Sequence, residues 1–438
     1  MREPSRRRSV ARPTHVPEEP PLARTRPGWL HPTILGAATL AVLSGMAQFG
    51  VTAVFGDVAE AFGEASSSEL ATQVGLSGTT VGLGLALIRL AGAGSLLGSS
   101  LADRVGRRRT IVLATVIGLL GTLVAAGAPT YWTFVVLVAL ARPTLSTTNA
   151  MTAVIAAEES GSKDRAMAIA FVGAAYAVGS GIVSVLRGVV DGIGFRAVLL
   201  LAAAPIVLVP LLARRIEEPP PAKEALEAPP TARLGGVPPH LRPRLLLVVS
   251  MALVSSWITG PGFTYLFVYG ENVLGATPGS MAGLVVGAGV SGLLGLLVGR
   301  WAADRIGRRV TAAVGTMLMA LFTTFAYSGS LGRFTAGYLL AIGASGTVGP
   351  AAGALLNEIV PASSRGTANG WAAASGVVGA VLGLAAFGAL ADVFGAFTTA
   401  GALMWLPAAP LALLYFRVPE TRGMEHEQIE AATAAPPG

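Results

Sequence analysis

Two arginines stand where arginine is costly. Arg89 and Arg142 each lie well inside a long apolar stretch of the chain. A guanidinium among hydrocarbon must face a counter-charge, hydrogen-bond acceptors or water. The sequence places no Asp or Glu deep within these stretches; Asp57 comes nearest, at the end of the first. Two cations without buried acids suit a solute that carries negative charge or several acceptors. Gln48, Asn149, Trp257 and Tyr265 also lie within apolar stretches and are secondary candidate contacts for the same solute. The rest of the inventory is thin. The chain has no cysteine, which excludes disulfides, thiolate nucleophiles and cysteine-ligated metals. His15, His31, His240 and His426 fall at segment ends or in tails, without metal-ligand spacing. No nucleophile–base pair and no phosphate-binding loop is visible. These residues predict no enzyme, no metal and no cofactor.

The elements that hold these side chains read as membrane spans. Of 438 residues, 53% are hydrophobic and 13% charged, against about 25% charged in soluble domains. So few charges cannot cover so long a chain in water, and lipid is the natural partner of the excess apolar surface. A span needs about 20 mostly apolar residues to cross a hydrocarbon core about 30 Å thick. Twelve stretches qualify, from about 33–55 to about 398–416, and they lack the polar faces of buried soluble helices. Arg89 lies about 21 Å along its helix from Asp103, and Arg142 about 24 Å from Glu158, at 1.5 Å rise per residue. Both therefore belong to the middle-to-outer bilayer.

The expected organisation is a disordered basic tail (1–29), a six-span half (30–213), a proline-rich linker (214–244), a second six-span half (245–416) and a tail (417–438). The net charge of +7 and the pI near 10.2 suggest nucleic acid at first sight. The placement of the charge argues otherwise. With both termini inside, nearly all Lys and Arg fall on the inner side; Arg187, Arg196 and Arg333 fall outside, and Arg89 and Arg142 within spans. This is the topology bias of membrane proteins, and it predicts cytoplasmic termini and no nucleic-acid partner.

The two halves repeat each other. Asp103-Arg104-Val105-Gly106-Arg107-Arg108 recurs as Asp304-Arg305-Ile306-Gly307-Arg308-Arg309, each between spans 2 and 3 of its half. Glu158 and Arg165 recur with the same spacing as Glu358 and Arg365, each between spans 4 and 5. Two motifs at matching places indicate duplication. Gly106 and Gly307 suit a tight turn, and the Arg pairs anchor the loops to one membrane surface.

On these motifs the chain resembles the major facilitator superfamily across all twelve spans. The family's loop carries a leading Gly where this chain has Ser99 and Arg300, with Gly98 and Gly299 one step earlier. Pro419-Glu420-Thr421-Arg422-Gly423 is similar to the tail that follows the last span of sugar and metabolite porters. Glu217-Glu218-Pro219 is its degenerate candidate partner after span 6.

The resemblance implies an all-α membrane protein with twelve transmembrane helices in two pseudo-symmetric six-helix halves. It implies a secondary active transporter that moves a small metabolite, organic anion or sugar by alternating access, in the plasma membrane, as a monomer. It further implies a gating network of Asp103, Arg104, Gly106, Arg107, Arg108, Glu158, Arg165, Asp304, Arg305, Gly307, Arg308, Arg309, Glu358, Arg365 and Glu420. In that network Asp103 meets the start of span 11 and Asp304 the start of span 5. Protons are a candidate coupling ion, as in a symporter, although the missing mid-span acid predicts weak or indirect dependence.

Two other readings stand beside this one. A drug exporter of the same superfamily is disfavoured because span 5 has Gly179-Ser180-Gly181 without the exporters' Pro. A solute sensor that does not turn over would share the site but give no flux. Independently of that, Arg142 could form part of a structural or relay network instead of touching solute. Gly260-Pro261-Gly262 and Gly349-Pro350 are expected to break or kink their helices.

Overall fold

The computed structural model describes residues 30–63, 74–160, 164–190, 194–217, 242–360 and 362–422, apart from the side chains of Asp103, Arg104, Ala166, Leu356, Asn357 and 362–367. Twelve helices are long and apolar enough to cross a membrane: α1 Pro32–Ala53, α2 Gly78–Ala102, α3 Arg107–Ala125, α4 Tyr131–Glu159, α5 Met167–Val189, α6 Phe195–Ala213, α7 Arg242–Thr264, α8 Pro278–Arg305, α9 Arg308–Ala326, α10 Leu331–Leu355, α11 Ala368–Phe394 and α12 Phe397–Arg417. No strand occurs among the described residues. Helices satisfy their own backbone polar groups, which hydrocarbon requires. Their outward surfaces are apolar: Leu97, Val189, Val207 and Leu293 are all exposed.

Local signals start the helices in a repeated way. Ser77 and Thr130 cap α2 and α4, each accepting a hydrogen bond at 3.2 Å from the backbone three residues on. Thr277 caps α8 at 3.2 Å and Ser330 caps α10 at 3.4 Å in the same manner. All four caps lie at the end of the molecule away from the duplicated loops, and α8 and α10 are the second-half counterparts of α2 and α4. At the other end the chain reverses through Gly106 (φ 106°) and Gly307 (φ 131°). These angles lie in the region that side-chain-bearing residues avoid.

Within the first half α1 packs along α5 and α4, and α3 along α4; within the second, α7 packs along α11, and α10 along α8 and α9. The halves meet through α2 against α11 and α5 against α8. Small residues permit this. A side chain at Gly379 or Gly383 would collide with the α7 backbone, and one at Gly295 or Gly299 with that of α10.

Of the expected breaks or kinks at proline, the breaks do not occur. The helices containing Pro261 and Pro350 run unbroken through them, as does α4 through Pro143. A proline removes one N–H, and packed neighbours hold the remaining turns. The interruption falls instead in α2, where Gly92–Gly94 tightens to a 3-10 turn. Gly94 lies against Pro143 and Gly98 against Thr147 of α4. Beyond α7 the chain widens into a π-helical turn, Val268–Val273.

Candidate solute pathway and its two ends

Midway along the spans, α2 and α4 bring their arginines together. Arg89 and Gly92 are one turn apart on α2. A side-chain carbon at Gly92 would lie 3.7 Å from Arg142 Cγ and 3.5 Å from Ser146 Oγ, so the α4 arginine rests on the flattened face of α2. Arg142 is half-buried and Arg89 exposed, and Arg89 and Tyr176 of α5 are the ionisable neighbours of Arg142. Tyr176 was not singled out in the sequence. A tyrosine in an apolar run carries no signal until its neighbour is known.

The other candidate contacts divide. Gln48 is buried and donates to Ser44 at 2.9 Å, while Ser44 donates to the Leu145 carbonyl at 3.1 Å. These bonds tie α1 to α4 just below Arg142. Asn149, two turns along α4 from Arg142, is half-buried; its Oδ1 has no hydrogen-bond partner among the described residues, nor has Nε1 of half-buried Trp257 on α7. Tyr265 is placed apart from this group. It is fully buried between Phe387 and Phe397, with ring centroids 4.7 and 5.9 Å away, and its hydroxyl donates to the Leu384 carbonyl at 3.4 Å.

The duplicated loops form the first end. Arg107 pairs with Glu158, and Arg308 with Glu358, so each loop is bound to the end of the fourth helix of its half. The two halves then differ. In the second, Glu420 accepts hydrogen bonds from the backbone N–H of Arg308 at 2.9 Å and of Arg309 at 3.2 Å. It thereby places a carboxylate on the positive start of α9. Thr421 accepts from the Arg308 guanidinium at 3.3 Å, and the Arg309 guanidinium lies over Phe416. In the first half, Arg108 donates to the Ala213 carbonyl at 3.0 Å, and the backbone N–H of Glu217 donates to Thr33 at 3.4 Å. Arg165 donates to the Ala157 carbonyl at 3.0 Å. Asp304 is exposed, and Arg305 lies over Trp301. The side chains of Asp103, Arg104 and Arg365 lie outside the described residues, as do those at the expected meeting points Ala166 and Thr367 and the whole of Glu218.

The opposite end is where described hydrogen bonds and ion pairs join the halves. Asp392, near the end of α11, accepts from the backbone N–H of Gly78 at 2.6 Å and of Thr79 at 2.8 Å, and from the Thr79 hydroxyl at 2.6 Å. An acid of the second half thus caps the start of α2 in the first. Beside it a side chain at Gly82 would meet the Leu384 carbonyl, Tyr265 and Gly388. Arg187 of α5 donates to Asp57, in the short helix Phe55–Ala61, at 2.7 Å, and to Glu271, in the π-helical turn, through both terminal guanidinium nitrogens. Toward the loop end Gly173 of α5 and Gly370 of α11 have open space around them.

A sequence model described as "Major Facilitator Superfamily" matches residues 37–302 and 274–436. A gentisate transporter from Corynebacterium glutamicum is 28% identical over 351 residues, covering 75% of each chain. Among solved structures, a D-xylose–proton symporter superposes with a TM-score of 0.69 at 18% identity, covering 90% of this chain and 99% of that one. A bacterial homologue of the human lysosomal transporter Spinster, in an inward-facing and occupied conformation, gives 0.68 at 16% identity, covering 88% and 95%.

Proposed function

The chain belongs to the major facilitator superfamily and is a multi-pass membrane transporter of a small solute, and from that premise we propose that it carries an organic carboxylate of the gentisate type into the cell by alternating access. The observation that carries the solute class is the meeting of Arg89 and Arg142 between α2 and α4. Two guanidinium groups held near each other in a low-dielectric span repel, and an anion between them removes the repulsion and the desolvation cost together. A carboxylate takes two parallel N–H bonds from a guanidinium. The gentisate transporter among the relatives supports the same chemistry, since gentisate is a hydroxylated aromatic carboxylate. Trp257 supplies an aromatic surface from the second half, and Asn149 an acceptor for a hydroxyl. Gln48 positions α1 against α4, and Tyr265 belongs to the closed end.

The halves rock about this site. On this reading the loop end, with its Arg-rich turns, faces the cytoplasm, the end tied by Asp392 and Arg187 faces outside, and the conformation is open inward. In the outward state the duplicated loops close the inner end, with Glu420 holding the second loop in shape. The protein acts as a monomer in the plasma membrane.

The test is binding and flux with purified protein. Gentisate raises the thermal midpoint and D-xylose does not. Arg142→Ala weakens gentisate binding by about 1.5–3 kcal/mol, the value of hydrogen bonds to a charged group. Gentisate then enters proteoliposomes made with the parent protein and not those made with Arg142→Ala. Undiminished gentisate binding in the double variant Arg89→Ala/Arg142→Ala sinks the anion site. Binding without flux favours the sensor reading.

A further inference from the structure

The closed end holds a charge balance that solute binding does not use. Arg187 comes from α5, Asp57 from the short helix after α1, and Glu271 from the turn between α7 and α8. The Arg187 side chain is 5% exposed and that of Glu271 10%. Both acids accept from the same guanidinium nitrogen, Asp57 at 2.7 Å and Glu271 at 2.6 Å. One cation serves two anions, so the cluster carries one uncompensated negative charge. The guanidinium also lies over Phe267, 5.7 Å from its centroid, so its face there meets an aromatic ring. Arg187 and Asp57 belong to the first half and Glu271 to the second.

We infer that Arg187, Asp57 and Glu271 form a latch between the halves that tightens when the carboxylate pair takes up a proton. The inference rests on the alternating-access part of the proposed function and not on the identity of the solute.

The sign follows from the geometry. In the closed state Glu271 has lost water and faces Asp57; both favour its protonated form, while Arg187 favours the ionised one. Burial is the largest of these and pushes the Glu271 carboxyl above the usual carboxylate range. When this end opens, Glu271 leaves with its own half and returns to water, while Arg187 and Asp57 remain a matched pair. The closed state therefore binds the proton more tightly. By linkage, closure is favoured as pH falls through the raised range and weakened as pH rises above it. The neutral carboxyl still accepts from Arg187, and its O–H is free to turn toward the Asp57 carboxylate held on the same guanidinium nitrogen.

Arg196, at the start of α6, lies over Phe62 and Phe195 and donates to the Ala128 carbonyl at 3.2 Å, and the Asp392 carboxylate is taken up by the start of α2. Glu60, on the short helix, is exposed. The charges of α8, Arg300, Asp304 and Arg305, lie at its other end. From α10, Arg333 binds Ser330 and Tyr338 packs on Phe263 and Phe334. Tyr327, after α9, stacks on Tyr269. An ordinary salt bridge would have the opposite sign, because acid would remove the charge that holds it.

The chain has no native cysteine, so a nitroxide pair can be placed without background. Ala61→Cys and Gly332→Cys put labels on exposed sites of the two halves at this end. Dipolar distances are measured on the whole protein in nanodiscs without solute. From about pH 8 to about pH 5.5, a range that spans a raised carboxyl, the short-distance population should rise about threefold or more. Glu271→Gln, which keeps the shape of the neutral carboxyl, should give the short distance at both pH values. A short-distance population that falls with acid or ignores it overturns the latch, and so does a Glu271→Gln variant that keeps the parent's response. Because no solute is present, these outcomes leave the anion reading untouched, and absent gentisate flux leaves the latch untouched.

Discussion

Glu420 does for α9 what a side-chain cap does for an ordinary helix, but from the far end of its half. Two backbone N–H groups with no intrahelical partner point at its carboxylate. Glu420→Ala should cost about 1 kcal/mol, the usual worth of such a cap, and appear as a lower thermal midpoint in detergent. Glu217→Ala, at the matching place in the first half, where the described bond comes from its backbone, should stay within about 0.5 kcal/mol. The sequence showed Glu420 through its motif, and Arg89 and Arg142 through the oddity of charge in an apolar run. Asp57, Arg187, Glu271 and Asp392 had no such mark. Each sits near a span end, where charge is common, and Arg187 finds its partners 84 and 130 residues away. Their meaning needed to know which helices touch.

At the scale of elements, the contact between α2 and α11 is set by glycine. A carbon added at Gly82 would lie 2.7 Å from the Leu384 carbonyl and 2.8 Å from the Tyr265 hydroxyl. Gly82→Leu should wedge this end apart and reduce gentisate flux about tenfold or more, since overpacking by 1–3 kcal/mol is enough for that. Gly289→Leu, at a glycine with open space around it, should leave flux within about twofold. The twelve spans were legible because hydropathy alone marks a helix in lipid. Their interiors were not. Breaks were expected at the prolines of α7 and α10 from composition, whereas the interruption of regular helix lies in α2, where Gly94 packs against Pro143 of a different helix. The four Ser and Thr caps were readable in principle, since residues 77 and 277, and 130 and 330, repeat the spacing of the loops. Short polar residues between long apolar runs draw no notice.

For the whole molecule, the two halves share a plan and differ in how each is fastened. The second has its loop clamped by the chain's own tail, and the first has its α2 capped by the other half. The proposed orientation is checkable because the chain is free of cysteine. Gly332→Cys should react with a membrane-impermeant maleimide in intact cells. Ile306→Cys, exposed at the loop end, should react only after permeabilisation. Equal labelling of both in intact cells would end the cytoplasmic placement of the loops. The cap by Asp392 has a consequence for solvent. The N–H groups of Gly78 and Thr79 are satisfied by a carboxylate that departs whenever that end opens. Water must then occupy both sides of the parting, on the helix start and on the acid alike. In the proposed alternating-access cycle each turn thus wets and dries a fixed set of backbone and side-chain groups, so that step carries a hydration change as well as a motion.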